Sequence, residues 1–142
     1  RTTASTTLAG MIRCSPKKIR GRMVDELKAR FEQELRDSPI PKPRRAGTET
    51  PVDRSQAINR RHAAVLGLGA LIEAFPYATP PPHWMPEVLA TLARKTSGDP
   101  GMVGKTTKGI LSDFKKTRQD SWNVDQKVKA EFPRFRSSLV PC

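Results

Sequence analysis

Cysteine is nearly missing from this chain: Cys14 and Cys142 are the only two in 142 residues. Two thiols, one expected on a helix and one at the terminus, are too few for a disulfide framework or a thiolate metal site, and a reducing compartment is the matching expectation. Aromatic residues are scarce at 6%, and most fall at positions expected in the core, which leaves no platform for stacking single-stranded nucleic acid. No apolar run approaches the roughly 18 to 20 residues of a membrane span, and no charged head with an apolar signal core stands at the N-terminus. A soluble intracellular protein with no membrane partner is expected. No segment alternates apolar and polar residues with β-branched enrichment over a strand's length, so no sheet is expected either.

Negative charge is also in short supply. The 26 Lys+Arg residues face 14 Asp+Glu, for a net charge of +12. Nine basic residues against five acidic ones in residues 1–37, six against two in 38–61, and nine against five in 98–142 each leave +4, whereas 62–97 is neutral. The neutral block reads as the core, and its flanks should attract acidic protein surfaces, phosphates or nucleic acid.

What the chain does have is helical periodicity, enough for one domain with a single core. Leu8, Met11 and Ile12 mark a short first helix, and Ile19, Met23, Leu27, Phe31 and Leu35 mark a longer one with a four-residue step. Ser15-Pro16 between them reads as an N-cap and first helical position, making a hairpin. A helical pattern already running by Thr3, behind Arg1, suggests a piece of something longer whose first helix has lost a neighbour. From Ser38 to Asp53 the period vanishes, and Pro39, Pro41, Pro43, Gly47 and Pro51 forbid a continuous helix.

A third helix is expected from about Ser55 to Phe75, apolar nearly all round between Ala63 and Ile72, with Gly67, Gly69 and Ala70 allowing close neighbours. Pro76 and Pro80-Pro81-Pro82 end it. A fourth runs from about Trp84 to Lys95 with Met85, Val88, Leu89 and Leu92 on one face. Asp99-Pro100 reads as the N-cap and first turn of a fifth, to about Arg118, facing inward through Val103, Thr107, Ile110, Leu111 and Phe114. Asp120 would cap a sixth that buries Trp122, Val128 and Phe132. The expected fold is all-α, an α-solenoid of about three HEAT- or armadillo-like hairpins. Its parts are a first hairpin at 1–37, a Pro-rich basic loop at 38–54, a second hairpin at 55–96, a third at 97–132, and a tail at 133–142. Leu66, Leu68, Leu71, Ile72, Val88, Leu92, Ile110 and Phe114 should form the core.

The motifs argue against catalysis. Gly98 to Thr106 ends in Gly-Lys-Thr like a phosphate-binding loop, but that loop needs a glycine where Asp99 stands and a preceding strand where Val88 to Arg94 reads as helix. His62 and His83 lie on different elements with no partner at metal-ligand spacing, so no metal site is expected. No nucleophile elbow is present. No cofactor is expected. Basic residues crowd the outer side of the fifth helix, where Lys105, Lys108, Lys115, Lys116 and Arg118 could be a solvated face or a contact for phosphate or an acidic protein. Lys42-Pro43-Arg44-Arg45 could be a nuclear-import signal or simply an exposed loop.

Three stretches carry a resemblance: Arg61-His62-Ala63-Ala64-Val65-Leu66-Gly67-Leu68-Gly69-Ala70, Trp84-Met85-Pro86-Glu87-Val88-Leu89, and Lys108 to Trp122. They resemble the C-terminal region of the large HEAT-repeat proteasome activators, and Thr2 to Leu35 resembles it more loosely. The resemblance implies a regulator rather than an enzyme, part of a long solenoid capping the outer ring of the core proteasome and promoting ATP- and ubiquitin-independent degradation. It implies a nuclear and cytoplasmic location, and acetylated histones and inositol phosphates as further partners. It also implies an acetyl-lysine-recognising segment around Arg13-Cys14-Ser15-Pro16, although neither Ser15 nor Pro16 supplies the amide donor such a pocket uses.

In that family an aromatic-aromatic-small tail enters a pocket between ring subunits. Here the last residues are Leu139, Val140, Pro141 and Cys142, and the resemblance matches the leucine, valine and proline to residues just before those aromatics, so the aromatic motif itself is missing. They are the candidate docking residues together with Lys105, Lys108 and Lys115, and docking through this tail is expected to be weak. The reading from another class is a basic helical module that binds nucleic acid, phosphate-rich ligands or acetylated histones.

Overall fold

The computed structural model describes residues 2–40, 51–78 and 80–118, and these fold into five helices with no strand among them. They are α1 (Thr2–Cys14), α2 (Lys17–Asp37), α3 (Pro51–Glu73), α4 (Met85–Lys95) and α5 (Gly101–Thr117). The fold is all-helical, as the periodicity requires, and consistent with an α-solenoid of helical hairpins. The expected sixth helix, the Lys42-Pro43-Arg44-Arg45 stretch and the 133–142 tail lie outside the described residues.

α3 is the centre. α1, α2 and α5 all pack against it, and α4 packs mainly on α5. The apolar run Ala63–Ile72 explains this, because a helix apolar on every side needs neighbours on every side. From Arg61 to Ile72 every residue is buried except Ala63 and the half-buried Leu66. Ile12 of α1, Val24 and Leu35 of α2, Met85, Leu89 and Leu92 of α4, and Val103 and Leu111 of α5 close around Val65, Leu68 and Leu71. Of the expected core, Leu66 and Ile110 are only half-buried, while the others are enclosed.

α3 begins at Pro51, earlier than Ser55. Proline lacks an N–H that the first turn would leave unpaired anyway, so a residue read as a breaker starts the helix, and Asp53 adds an acid at its positive end. Met11 (64% exposed) and Ile19 (58% exposed) leave the apolar stripe, because the buried arc of the first hairpin passes through Ala9, Ile12 and Val24 instead.

Ser15 is not the N-cap of α2. Pro16 holds that position, and no side chain caps the helix. The Ser15 hydroxyl turns back to donate to Met11 O at 2.7 Å, its amide donates to Ile12 O at 3.2 Å, and Arg20 Nη2 reaches Arg13 O at 2.9 Å. The hydroxyl thus satisfies an orphan carbonyl of α1 rather than an orphan amide of α2.

Asp99 departs from expectation in the same way. Pro100, extended at φ −71°, ψ 155°, is the N-cap of α5, and Gly101 takes the left-handed φ of +68° that a side chain would disfavour. The Asp99 carboxylate instead pairs with Arg61. A charge-assisted bond to a buried guanidinium outweighs a cap to a backbone amide.

A second ion-pair group links α2 to α4. Lys28 Nζ lies 3.3 Å from Glu32 Oε1 and 3.3 Å from Glu87 Oε2. Burial alone would lower its pKa, but the two carboxylates outweigh that, and the net shift is upward from the ordinary lysine value. A raised folded-state pKa makes the contribution complete below the unfolded value and removes it as pH rises through the folded one. Melting temperatures of the parent chain and Lys28→Met should therefore differ by a constant amount around neutral pH and converge in strongly alkaline buffer. A difference that has already closed at about pH 8, well below the ordinary lysine pKa of about 10.4, would contradict this assignment.

Candidate functional site

α1 and α5 flank α3 without sealing against it. Between them runs a mainly apolar cleft of about 330 Å³, walled by Leu66, Ile72, Ile110 and Phe114, with Ser5 and Asp113 among its polar members. A second hollow of about 360 Å³ opens beside it between α1, α2 and α3, against Leu8, Phe31 and Ala63. Ser5 and Leu66 border both, and the Ser5 hydroxyl donates to Leu66 O at 3.0 Å across the divide. These hollows are why Leu66 and Ile110 remain half-buried. Inside the first, His62 Nε2 meets Thr106 Oγ1 at 2.9 Å, tying α3 to α5.

The glycines of α3 bring the walls close. A Cβ on Gly69 would stand 2.6 Å from Ile110 Cδ1, and one on Gly67 would enter the Phe31 ring. Small residues here let α2 and α5 approach the central helix, as their spacing in the sequence suggests.

On the opposite side of α5 the sequence-predicted lysines come together. At about 100° per residue, Lys105, Lys108, Lys115 and Lys116 fall within one arc of roughly 100°, opposite Val103, Thr107 and Phe114, and spread along about 16 Å of helix. Lys105, Lys108 and Lys116 are exposed and Lys115 is half-buried. Arg118 does not share this face. It is buried, with its guanidinium 5.6 Å from the Phe114 ring centroid, and Nη2 donates to Ala78 O at 2.6 Å and Phe75 O at 3.4 Å. It holds the α3–α4 connection against the end of α5 instead of facing a partner. Leu139, Val140, Pro141 and Cys142 lie outside the described residues.

Arg61 is the residue whose importance the sequence conceals. Its Nε donates to Asp99 Oδ2 at 2.6 Å, Nη1 to Leu35 O at 3.1 Å and Ser38 O at 3.3 Å, and Nη2 to Lys95 O at 2.7 Å. One guanidinium thus joins the C-terminal ends of α2 and α4 to the turn before α5, supplying donors and positive charge where helix carbonyls lack partners. A signal was available: Arg61 is in helical phase with Val65, Leu68 and Ile72, and a charge in the core register needs buried partners.

The Gly-Lys-Thr string does not sit in the setting of a phosphate-binding loop. Val88 to Arg94 lies in α4, so no strand precedes the Gly-Lys-Thr string. Gly104 is a packing residue, since a Cβ there would run into the backbone carbonyl of Asp99. Among the described residues no group of three His, Cys, Asp or Glu side chains is placed to hold a metal, and no helix is long and apolar enough to cross a membrane.

The sequence profile of a family described as "Proteasome activator complex subunit 4-like, C-terminal" matches residues 58–132, just over half the chain. The chain belongs to this family. The match runs through most of α3 and all of α4 and α5, the part built around Arg61, the cleft and the lysine face. Among its relatives, the proteasome activator BLM10 of Saccharomyces cerevisiae is 48% identical over 67 residues, 46% of this chain and 3% of that protein. The proteasome activator complex subunit 4A of Danio rerio is 38% identical over 125 residues, 86% of the chain and 6% of the relative. The Homo sapiens proteasome activator complex subunit 4 is 35% identical over 134 residues, 93% of the chain and 7% of the relative. The chain therefore spans less than a tenth of the length of these curated relatives.

Proposed function

We propose that the chain acts as the C-terminal part of a proteasome activator, docking on the outer ring of the core proteasome and promoting degradation without ubiquitin or ATP. Family membership is the observation that carries this reading: the named relatives are proteasome activators, and the profile match falls on α3 to α5. The chain's role is that of a regulator of a peptidase. α3 and its neighbours give a rigid scaffold, and Lys105, Lys108 and Lys115 offer a cationic outer face to an acidic protein surface.

Replacing the equivalent C-terminal segment of the Homo sapiens relative with these residues gives a direct test. With an aromatic-aromatic-alanine tail appended after Cys142, the chimera should stimulate peptide hydrolysis by purified core proteasome without ATP, whereas the same relative lacking the segment should not, and without the added tail the stimulation should be weaker. Reversing Lys105, Lys108 and Lys115 to Glu should weaken core-particle binding, and the difference should shrink at about 1 M salt, where the Debye length is about 3 Å. A folded chimera that neither binds nor stimulates the core particle would refute the proposal. Tight binding of the chain to duplex DNA with a steep salt slope, and none to the core particle, would favour the nucleic-acid reading instead.

A further inference from the structure

We propose that Ser15 is a phosphorylation site for a proline-directed Ser/Thr kinase that also reads a basic residue three positions on. The sequence holds four Ser/Thr-Pro pairs, at Ser15, Ser38, Thr50 and Thr79, and their third residues onward are Lys18, Pro41, Asp53 and Pro82. Only Ser15-Pro16-Lys17-Lys18 joins a hydroxyl, a following proline and a cation at the third position. Each part has a chemical reason. Proline lacks the N–H that a hydrophobic kinase pocket would have to satisfy, and the lysine meets an acidic subsite.

The fold separates the two serine candidates. Ser38 is 2% exposed, and its carbonyl is held by Arg61 Nη1, so its hydroxyl cannot be reached without opening the domain. Ser15 lies in the turn between α1 and α2, half-buried, with its hydroxyl bonded to Met11 O four residues back. Pro16 is already extended at φ −56°, ψ 140°, and residues 16–19 are all exposed. The first turn of α2 has neither a side-chain cap nor an acidic residue, so opening it to fit a kinase cleft sacrifices little.

Transfer moves the γ-phosphoryl group of Mg·ATP onto Ser15 Oγ. The new O–P bond replaces the bond to the departing ADP oxygen, and the hydroxyl proton goes to the kinase's base. The ester can no longer donate to Met11 O, but its charge of about −1.5 to −2 arrives in a cationic turn. Arg20 already crosses that turn, with Nε 3.2 Å and Nη2 2.7 Å from Ser15 O, and Lys17 and Lys18 are exposed beside it. The modification therefore replaces a hydroxyl with an anion at the uncapped start of α2, tightening the hairpin and cancelling positive potential at that end of the molecule.

The test is to incubate the 142-residue chain with Mg·ATP and a purified cyclin-dependent kinase, and to map the product by peptide mass spectrometry. One phosphoryl group should appear, on Ser15. Ser15→Ala should abolish it, Ser15→Thr should retain it, and Lys18→Ala should slow it several-fold. The modified chain should melt at a higher temperature in low salt, with the gain shrinking in high salt. Phosphate found only elsewhere, or labelling indifferent to Lys18, would overturn the proposal. So would a peptide spanning residues 8–22 that is labelled while the folded chain is not, because the accessibility argument would then be wrong.

Discussion

Replacing Arg61 with methionine is expected to destabilise the fold by about 3 to 5 kcal/mol, the range for breaking a buried ion pair from one side. Methionine fills much the same space, so the loss is electrostatic. The Asp99 carboxylate, 16% exposed, is left without its partner, and the carbonyls of Leu35, Ser38 and Lys95 lose their donor. Domains of this size are stable by about 5 to 15 kcal/mol in total, so such a loss should be plain in a urea titration at neutral pH. Asp99→Asn alone should cost less, because its amide oxygen can still accept from Arg61. The double variant Arg61→Met, Asp99→Asn should recover part of the loss, and the double-mutant cycle gives the coupling energy. An Arg61→Met chain within about 0.5 kcal/mol of the parent, the usual spread for an inconsequential surface change, would mean that this guanidinium does not join the helices.

Leu71→Ala should cost a similar amount, about 2 to 5 kcal/mol, for a different reason. Leu71 is fully buried on α3 within the common core, so truncation loses its transfer free energy and leaves a void that rigid helices on several sides cannot collapse into. Leu66→Ala provides the internal comparison. Leu66 already borders two hollows, and removing its side chain enlarges existing space, so its cost should fall well below that of Leu71. Chemical denaturation followed by circular dichroism measures both. Equal losses at the two positions would show that the hollows beside Leu66 are not open in solution.

The periodicity of the sequence determined the helices, and the reason is local. A stripe such as Met85, Val88, Leu89 and Leu92, ended by Pro80-Pro81-Pro82 before and Thr96 to Pro100 after, leaves a chain few alternatives to an amphipathic helix. The apolar circumference of Ala63–Ile72 also determined that α3 would be central, and the wording of α3, α4 and α5 carried the family. The lysines of α5 could be placed on one outer face from spacing alone.

What the sequence could not decide was where each polar group finds its partner. Ser15 and Asp99 both precede prolines at helix starts and read as caps, yet one turns back to the preceding helix and the other pairs with Arg61, thirty-eight residues away. Nor could spacing tell that Arg118 turns inward while its neighbouring lysines stay outside, or that Ser15 is reachable and Ser38 is not. A cap and a tertiary ion pair draw on the same side-chain oxygen, and the choice rests on which donor the fold brings within about 3 Å and how much water it excludes there. Helix formation follows from neighbours in sequence, whereas buried polar pairing depends on neighbours in space, which only the packing of α1, α2, α4 and α5 around α3 supplies.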